Sequence, residues 1–327
     1  MTAAAGAVSL GRRRLGPRGP EVTRLGLGGA PLGNLYTAVD DDGATAVVDA
    51  AWEAGIRYFD TAPLYGHGLS ERRLGRVLAG RPRDQYVLST KVGRLLRPGA
   101  EAVGSIFDLP GSDPAAHLAP VFDFSGDGVR RSVEESLVRL GTDRIDVALL
   151  HDPDDHEQEA LHEAFPALLR LRDEGVVAAV GAGMNQWQML DRFVQKVDLD
   201  LVLLAGRATL LDRSGTEVLL PRCEEAGVGV VLGGVFNSGV LAAPGPDATY
   251  EYAALSDEVA ERVARLDATC AASGVPLAAA ALQWALRQPA VSAVVIGIRS
   301  PEELAADVAW STATVPDALW DELDLIQ

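Results

Sequence analysis

Eight short apolar runs, separated by longer amphipathic segments, dominate the hydrophobic pattern of the chain. The runs are rich in Val, Ile and Leu and do not alternate with polar residues, which is typical of strands covered on both faces. The pattern predicts strands at 23–28, 57–60, 86–91, 145–151, 176–181, 199–204, 228–232 and 292–296.

Segments with helical periodicity lie between these runs, at 44–54, 71–79, 129–140, 158–174, 186–196 and 217–226, with a final one at 316–326. Most of them are followed by a glycine, the residue that most easily takes the left-handed conformation at a helix end. Strands that alternate with helices predict an α/β chain, and eight such units predict a single-domain (β/α)8 TIM barrel over 21–327. Residues 1–20 are expected to form an exposed N-terminal segment.

The main alternative is an open, doubly wound sheet, which places a Gly-x-Gly-x-x-Gly turn between its first strand and a helix. The first strand here is glycine-rich, but Pro31 follows it and no helical pattern begins there. The glycines are therefore interpreted as points of tight turning or of close approach to a ligand.

A long irregular stretch, 94–127, interrupts the alternation after the third predicted strand. It is rich in proline and glycine and carries three aromatic residues, Phe107, Phe122 and Phe124. Connections of this length are usually functional or disordered. We expect a loop that covers the substrate on the C-terminal face of the barrel, with a simple surface excursion as the alternative.

Composition narrows the functional classes. The 327 residues are 48% hydrophobic and carry a formal charge of −17, which disfavours nucleic acid and anionic membranes as partners. No uncharged apolar run of membrane-spanning length and no signal-peptide pattern are present. Cys223 and Cys270 have no metal-ligand spacing, nor do the five histidines, so no metal site is predicted and a cytoplasmic setting is expected. The oligomeric state stays open.

Chemistry-bearing side chains stand at the ends of three predicted strands. Asp60 ends the second, Lys91 the third and His151 the fourth, and Tyr65 follows Asp60 by five residues. In parallel barrels this end of the strands carries the active site. A phenol has an unperturbed pKa of about 10, and a neighbouring ammonium group lowers it, so Tyr65 with Lys91 predicts a proton-transfer site.

These residues resemble the catalytic tetrad of the aldo-keto reductase superfamily, over essentially the whole chain after residue 20. The strings RYFDTAPLYGHGLSE, LLHDPDD and RATLL, which begin at Arg57, Leu149 and Arg207, resemble its sugar-oxidising branch. That branch contains D-threo-aldose (L-fucose) dehydrogenases, L-galactose dehydrogenases and pyridoxal 4-dehydrogenases. The resemblance implies a (β/α)8 barrel that binds NAD(P) extended across its C-terminal face.

Carried over residue by residue, the resemblance implies three cofactor contacts. Asn185 matches the residue that binds the nicotinamide carboxamide, and Ser238, Gly239 and Leu241 lie in the loop that folds over the pyrophosphate. The motif at the adenosine end supplies Gly297, Arg299, Glu303 and Asp307. From their positions beside Tyr65 and His151, His67 and Asp152 are the candidate substrate-binding residues.

Three departures from the family pattern bear on the cofactor. Ala208 stands where relatives have an aromatic residue that stacks on the nicotinamide, and Met184 stands where they have serine. At the adenosine end, Glu303 stands where many relatives have Arg or Gln, and Asp307 stands where Asn is usual. A carboxylate accepts hydrogen bonds from a ribose diol and repels a 2′-phosphate, so NAD is preferred to NADP, although Arg299 argues the other way.

The expected function is oxidation of the anomeric carbon of an aldose, of the L-fucose, L-galactose or D-arabinose type, to a lactone by hydride transfer to NAD. Two enzymatic alternatives are an NADPH-dependent aldehyde or ketone reductase and a pyridoxal-type alcohol dehydrogenase. A third alternative is a non-catalytic, cofactor-binding regulatory subunit.

Overall fold

The computed structural model describes residues 10–98, 106–109, 113–245, 247–250 and 253–326. Eight parallel strands close into a barrel in their order along the chain, and the last pairs with the first. The strands are β1 (Leu25–Gly28), β2 (Tyr58–Asp60), β3 (Val87–Val92), β4 (Val147–His151), β5 (Ala179–Met184), β6 (Leu201–Ala205), β7 (Gly229–Gly233) and β8 (Val291–Gly297). The predicted (β/α)8 barrel is thereby confirmed.

The fifth strand lies three residues later than predicted. Val176 and Val177, which suggested a strand, donate their backbone N–H groups to the carbonyl of Leu171 and so close the preceding helix. The strand itself contains Gly181, where a Cβ atom would come within 2.0 Å of the carbonyl oxygen of Leu201. The close approach of two barrel strands therefore requires a glycine that strand propensity alone disfavours.

Helices cover the outside of the barrel. They are α1 (Asp41–Glu53), α2 (Leu69–Leu78), α3 (Gly126–Leu140), α4 (Glu157–Glu159, a π turn Ala160–Ala164, and Phe165–Asp173), α5 (Trp187–Lys196), α6 (Leu219–Ala226), α7 (Asp257–Ala272), α8 (Leu277–Arg287), α9 (Pro301–Thr312) and α10 (Asp317–Asp324). The π turn directly precedes Pro166, which has no N–H to donate to the regular helical ladder. No helix is predicted above for the interval that holds α7 and α8.

Two hydrophobic clusters form the core. The larger fills the layer between strands and helices, and it includes both cysteines, which are buried on α6 and α7. The smaller fills the barrel interior with residues from the inner faces of the strands, including Tyr58, Leu149 and Val231. The floor of the C-terminal face is therefore solid packing, and a ligand can approach only from above.

A short hairpin closes the opposite, N-terminal end of the barrel. Arg12–Arg14 pairs antiparallel with Glu21–Thr23, and the side chains of Leu15 and Val22 join the interior cluster with no exposed surface. The expected exposed segment 1–20 is corrected here, because the hairpin crosses residue 20 and buries part of it. Residues 1–9 lie outside the described part of the chain.

The stretch after β3 is more ordered than expected. Arg94–Pro98 pairs antiparallel with Leu118–Phe122, and these two strands, with the described residues 106–109 and 113–117 between them, are called the cover hairpin below. Phe107, between its two strands, forms a bridge with Leu35 of the loop that follows β1. Residues 99–105 and 110–112 of the predicted loop lie outside the described residues.

Within the described ranges, no single helix has the length and apolar character needed to cross a membrane. One pair, α7 with α8, passes that test together by length and composition alone, and the two helices are bent by 96° at the break between them.

Candidate active site

Lys91 is the centre of the site. Its ammonium nitrogen lies 2.7 Å from Oδ2 of Asp60, 3.0 Å from the carbonyl oxygen of Thr61 and 3.0 Å from the hydroxyl oxygen of Tyr65. An ammonium group has three protons, so all its donors are used. The side chain is 1% exposed, and the Asp60 carboxylate that balances its charge is 2% exposed.

The strands place these groups because each functional residue stands at or just beyond a carboxyl end. Asp60 is the last residue of β2, and Ser89 of β3 donates a 2.7 Å hydrogen bond to its other oxygen. The loop after β2 is fixed by Ser70, whose hydroxyl lies 2.8 Å from Oγ1 of Thr61 and donates to the carbonyl of Gly29. This anchoring holds the loop that carries Tyr65.

His151 completes the group as the last residue of β4. Its ring lies edge-on to that of Tyr65, with ring centroids 6.0 Å apart. Its Nε2 atom is 3.5 Å from Oδ2 of Asp152, and its Nδ1 atom is buried without a hydrogen-bond partner in the described residues. A carboxylate beside Nε2 favours the tautomer that carries its proton on that nitrogen.

The electrostatics follow from burial and from these charges. Burial raises the pKa of Tyr65, and the charge of Lys91 opposes that rise. Burial lowers the pKa of Lys91, but Asp60 and Tyr65 outweigh it, so the pKa of Lys91 is raised and the amine stays charged. Burial, with the positive charges of Arg94 and Lys91, lowers the pKa of His151 well below its ordinary value, so this imidazole is neutral.

A cavity of about 380 Å³ opens above these four residues. Besides them, it is lined by the predicted site residues Asp152, Asn185, Ser238, Gly239, Gly297 and Arg299. Leu241 is buried beneath the lining, and Glu303 and Asp307 lie behind it on α9. A neutral imidazole, a phenol and a charged ammonium at one cavity floor can together move a proton to or from an oxygen bound there.

Comparison with known proteins agrees with this geometry. The model of the Aldo/keto reductase family matches residues 24–327. The chain belongs to the aldo/keto reductase family.

Relatives and solved structures support this assignment. A D-threo-aldose 1-dehydrogenase of a Pseudomonas species is 47% identical over 93% of this chain and 94% of its own length. A pyridoxal 4-dehydrogenase of Microbacterium luteolum is 42% identical over 95% and 96%. Among solved structures, the holo form of an aldo-keto reductase from Bacillus halodurans superimposes with a TM-score of 0.77 at 26% identity, over 97% of this chain and 96% of that one.

The groove that an aldo-keto reductase needs for a nucleotide is present. Glycines follow β1, β7 and β8 along the lining, and three successive residues, Asn237, Ser238 and Gly239, have left-handed φ angles of 46°, 58° and 96°. The side-chain amide nitrogen of Asn237 donates to the carbonyl of Gly206, while its oxygen is buried without a partner in the described residues. An unsatisfied acceptor in a glycine-lined groove fits a ligand rich in hydroxyl and amide donors.

The residues predicted to meet the adenosine end of the cofactor do not form a simple cationic site. Glu303 accepts hydrogen bonds from the backbone N–H of Arg299 at 2.8 Å and from its Nε at 3.2 Å. The guanidinium of Arg299 is therefore already paired with a carboxylate. Behind it, burial and the charge of Glu303 raise the pKa of Asp307 to about 7.

His67 does not reach the cavity that it was predicted to line. It has a left-handed φ of 48°, is 3% exposed, and its Nδ1 atom lies 3.3 Å from the carbonyl oxygen of Ala115 in the cover hairpin. Its ring packs against Phe107, which does line the cavity. The turn after Tyr65 thus places His67 behind Phe107, outside the cavity lining.

Ala208 is 1% exposed, belongs to the hydrophobic core and contributes nothing to the lining, whereas Met184 does contribute. Phe236 lines the groove and packs edge-on against Trp310. Neither Phe236 nor Arg94, which pairs with Asp152 at 2.7 Å, is singled out by the motifs. The one sequence signal for Arg94 is its place at the start of the long connection after Lys91.

Proposed function

We propose that this protein oxidises the anomeric carbon of an aldose, of the L-fucose, L-galactose or D-arabinose type, to a lactone with NAD. The observation that carries the proposal is the 47% identity, over 93% of the chain, with a D-threo-aldose 1-dehydrogenase. The arrangement of Tyr65, Lys91, Asp60 and His151 supports it, because these groups suit proton transfer at a hydroxyl oxygen.

The roles follow from the contacts. Tyr65 takes the proton of the anomeric hydroxyl, and Lys91, 3.0 Å away, stabilises the phenolate that would otherwise be disfavoured by burial. Asp60 holds Lys91 charged and in place. His151, which is neutral and lines the cavity, donates to the reacting oxygen from Nε2 and orients the substrate. NAD, when bound, supplies the hydride acceptor, and Asn185, Ser238, Gly239 and Gly297 are the lining residues placed to hold it.

The walls above the tetrad suit a sugar ring. The lining includes apolar side chains, Phe107 and Ile106 of the cover hairpin together with Leu35 and Leu64, and it also includes the Asp152 carboxylate. A pyranose has an apolar C–H face and a polar rim of hydroxyl groups, so it suits a lining that offers both. Asp152 is retained as a substrate-binding residue, and Phe107 takes the place expected for His67.

The pairing of Glu303 with Arg299 supports NAD as the preferred cofactor. Glu303 occupies the hydrogen-bonding edge of Arg299 and brings a negative charge to the start of α9, where Glu302 adds a second. A 2′-phosphate would have to displace or approach these carboxylates, whereas a ribose diol can donate to them. Dissociation constants for NAD and NADP, measured by quenching of the intrinsic fluorescence, should favour NAD in the wild type. Glu303→Gln should bring the dissociation constants for NAD and NADP closer together. An unchanged ratio of the two constants would show that Glu303 does not determine the cofactor preference.

The activity is tested by following NAD reduction with L-fucose, L-galactose, D-arabinose, L-rhamnose and pyridoxal. Turnover of one or more sugars with release of the lactone supports the proposal. Turnover of pyridoxal alone, or a large preference for NADP, would contradict it.

Pyridoxal oxidation is the second candidate, because the Microbacterium luteolum relative is 42% identical and the Phe107 wall also suits a flat aromatic ring. An aldehyde reductase working with NADPH would show the opposite cofactor ratio. For a regulatory subunit the four tetrad residues would serve no purpose, and failure of every substrate in the screen together with NAD binding would favour that alternative.

A further inference from the structure

We propose that Asp152, held by Arg94, recognises the hydroxyl group on the carbon next to the reacting carbon, so that the protein selects 2-hydroxy aldehydes and the corresponding lactols over unsubstituted aldehydes. This inference uses only the carbonyl–alcohol chemistry of the proposed function and does not depend on which sugar is oxidised. The motifs assign no role to Arg94, and they do not say which substrate group Asp152 would contact.

The geometry beside His151 carries the inference. Oδ2 of Asp152 lies 3.5 Å from Nε2 of His151, the atom placed to hold the reacting oxygen. The oxygen on the neighbouring carbon of a substrate lies within hydrogen-bond reach of that reacting oxygen. A group that adjoins the His151 contact is therefore placed to meet the second oxygen, and the carboxylate, which is part of the lining, is an acceptor for its proton.

Arg94 fixes this acceptor from behind. Its Nη2 donates a 2.7 Å hydrogen bond to the same Oδ2, and its guanidinium lies over the ring of Phe122, 4.7 Å from the centroid. Arg94 and Phe122 both belong to the cover hairpin, whereas Asp152 belongs to the loop after β4. The pair thus ties the two elements together, and in the described residues Oδ1 of Asp152 has no protein donor.

The backbone of Asp152 is held in a conformation that aims the side chain. Its φ is 43°, in the left-handed region that Asp and Asn tolerate better than most residues. Its N–H donates to the carbonyl of Gly183 in β5, which anchors the residue to the barrel. Asp152→Asn keeps this conformation accessible, so the variant removes the charge with little effect on the fold.

The test compares reduction of lactaldehyde and propanal with NADH, because these aldehydes differ only in the 2-hydroxyl group. The wild type should have a higher kcat/KM for lactaldehyde. Asp152→Asn keeps a neutral acceptor but loses the charge that strengthens the hydrogen bond, so it should lower the lactaldehyde-to-propanal ratio about tenfold, which corresponds to about 1.4 kcal/mol. The change should be in the KM for lactaldehyde more than in its kcat, since the group removed binds substrate uniformly. Every variant receives the same aldehyde solutions, so the hydrated fraction of each aldehyde is the same for all of them. Hydration therefore does not affect the comparison of the ratios between variants.

Two further comparisons separate recognition from structural damage. Asp155→Asn, an exposed carboxylate three residues along the same loop, should leave the ratio unchanged. Arg94→Met should lower the ratio because it releases Asp152, and Arg94→Lys should recover part of it by restoring a positive charge behind the carboxylate.

Absence of a lactaldehyde preference in the wild type would overturn the inference. So would an equal fall for both aldehydes in Asp152→Asn, which would mean that the carboxylate acts only through His151. If no sugar in the screen is oxidised while the preference persists and depends on Asp152, the aldose proposal fails and this inference stands.

Discussion

Replacing Lys91 with methionine isolates the charge at the centre of the site. The ammonium nitrogen is 3.0 Å from the Tyr65 hydroxyl oxygen, and at an effective dielectric constant of about 20 a unit-charge pair at that distance interacts by roughly 5 kcal/mol. Losing Lys91 should therefore leave the effect of burial on Tyr65 unopposed and raise the pKa of its phenol further. We expect kcat for alcohol oxidation near neutral pH to fall by about 10³-fold.

The same change should destabilise the fold, because Oδ2 of Asp60 loses its ammonium partner while its charge stays buried. Breaking a buried ion pair from one side typically costs about 3–5 kcal/mol. The double variant Asp60→Asn/Lys91→Met removes both charges and should recover most of that free energy of unfolding without recovering activity. Stopped-flow turnover and urea unfolding measure the two effects separately.

A matched control exists in the chain, which contains only one other lysine, Lys196. That side chain is half exposed and pairs with Glu157 at 3.5 Å. Lys196→Met should change neither turnover nor stability appreciably. If Lys91→Met kept kcat within tenfold of wild type, or if the double variant were as unstable as the single one, the electrostatic reasoning would be refuted.

Three further outcomes are expected. Tyr65→Phe should lower kcat by about 10²–10⁴-fold while NAD still binds by fluorescence quenching, and near-normal turnover would exclude Tyr65 as the proton-transfer group. Because burial raises the pKa of Tyr65 and the pKa of His151 lies well below its ordinary 6.5, kcat/KM for oxidation should rise with pH and show no step near 6.5, which a pH profile checks. The pKa of Asp307 is raised from 3.8 to about 7 in the folded state, so its contribution to stability is lost as pH rises from about 4 to about 7. Asp307→Asn should therefore raise the free energy of unfolding more at pH 8 than at pH 5, by on the order of 1–3 kcal/mol, as measured by urea unfolding at the two pH values, with Glu302→Gln as the unaffected control.

Much of the barrel could be predicted from the sequence because its strands are covered on both faces and stand out as apolar runs. The ends of those runs also predicted where Asp60, Lys91 and His151 would lie, since parallel strands bring their carboxyl ends to one edge. The prediction was wrong at β5, where close packing of neighbouring strands requires glycine at 181 and the flanking valines serve the preceding helix.

The substrate side was harder to predict because it depends on turn geometry and on pairing across the chain. The position of His67 close to Tyr65 in sequence suggested a shared cavity, but three successive left-handed residues, Gly66, His67 and Gly68, turn the ring towards Ala115. Arg94 and Asp152 are 58 residues apart and meet only because the cover hairpin folds back over the loop after β4. No local pattern carries that information.

The cover hairpin has a consequence for how selectivity could change over time. It carries both the aromatic wall, through Phe107, and the cation behind Asp152, through Arg94, yet it adds nothing to the closed ring of strands. Exchanging this one excursion between homologous chains would transplant the preference for a substrate while Asp60, Tyr65, Lys91 and His151 kept their places on the barrel. New substrate specificities can therefore arise in this hairpin without changes to the strands that form the barrel.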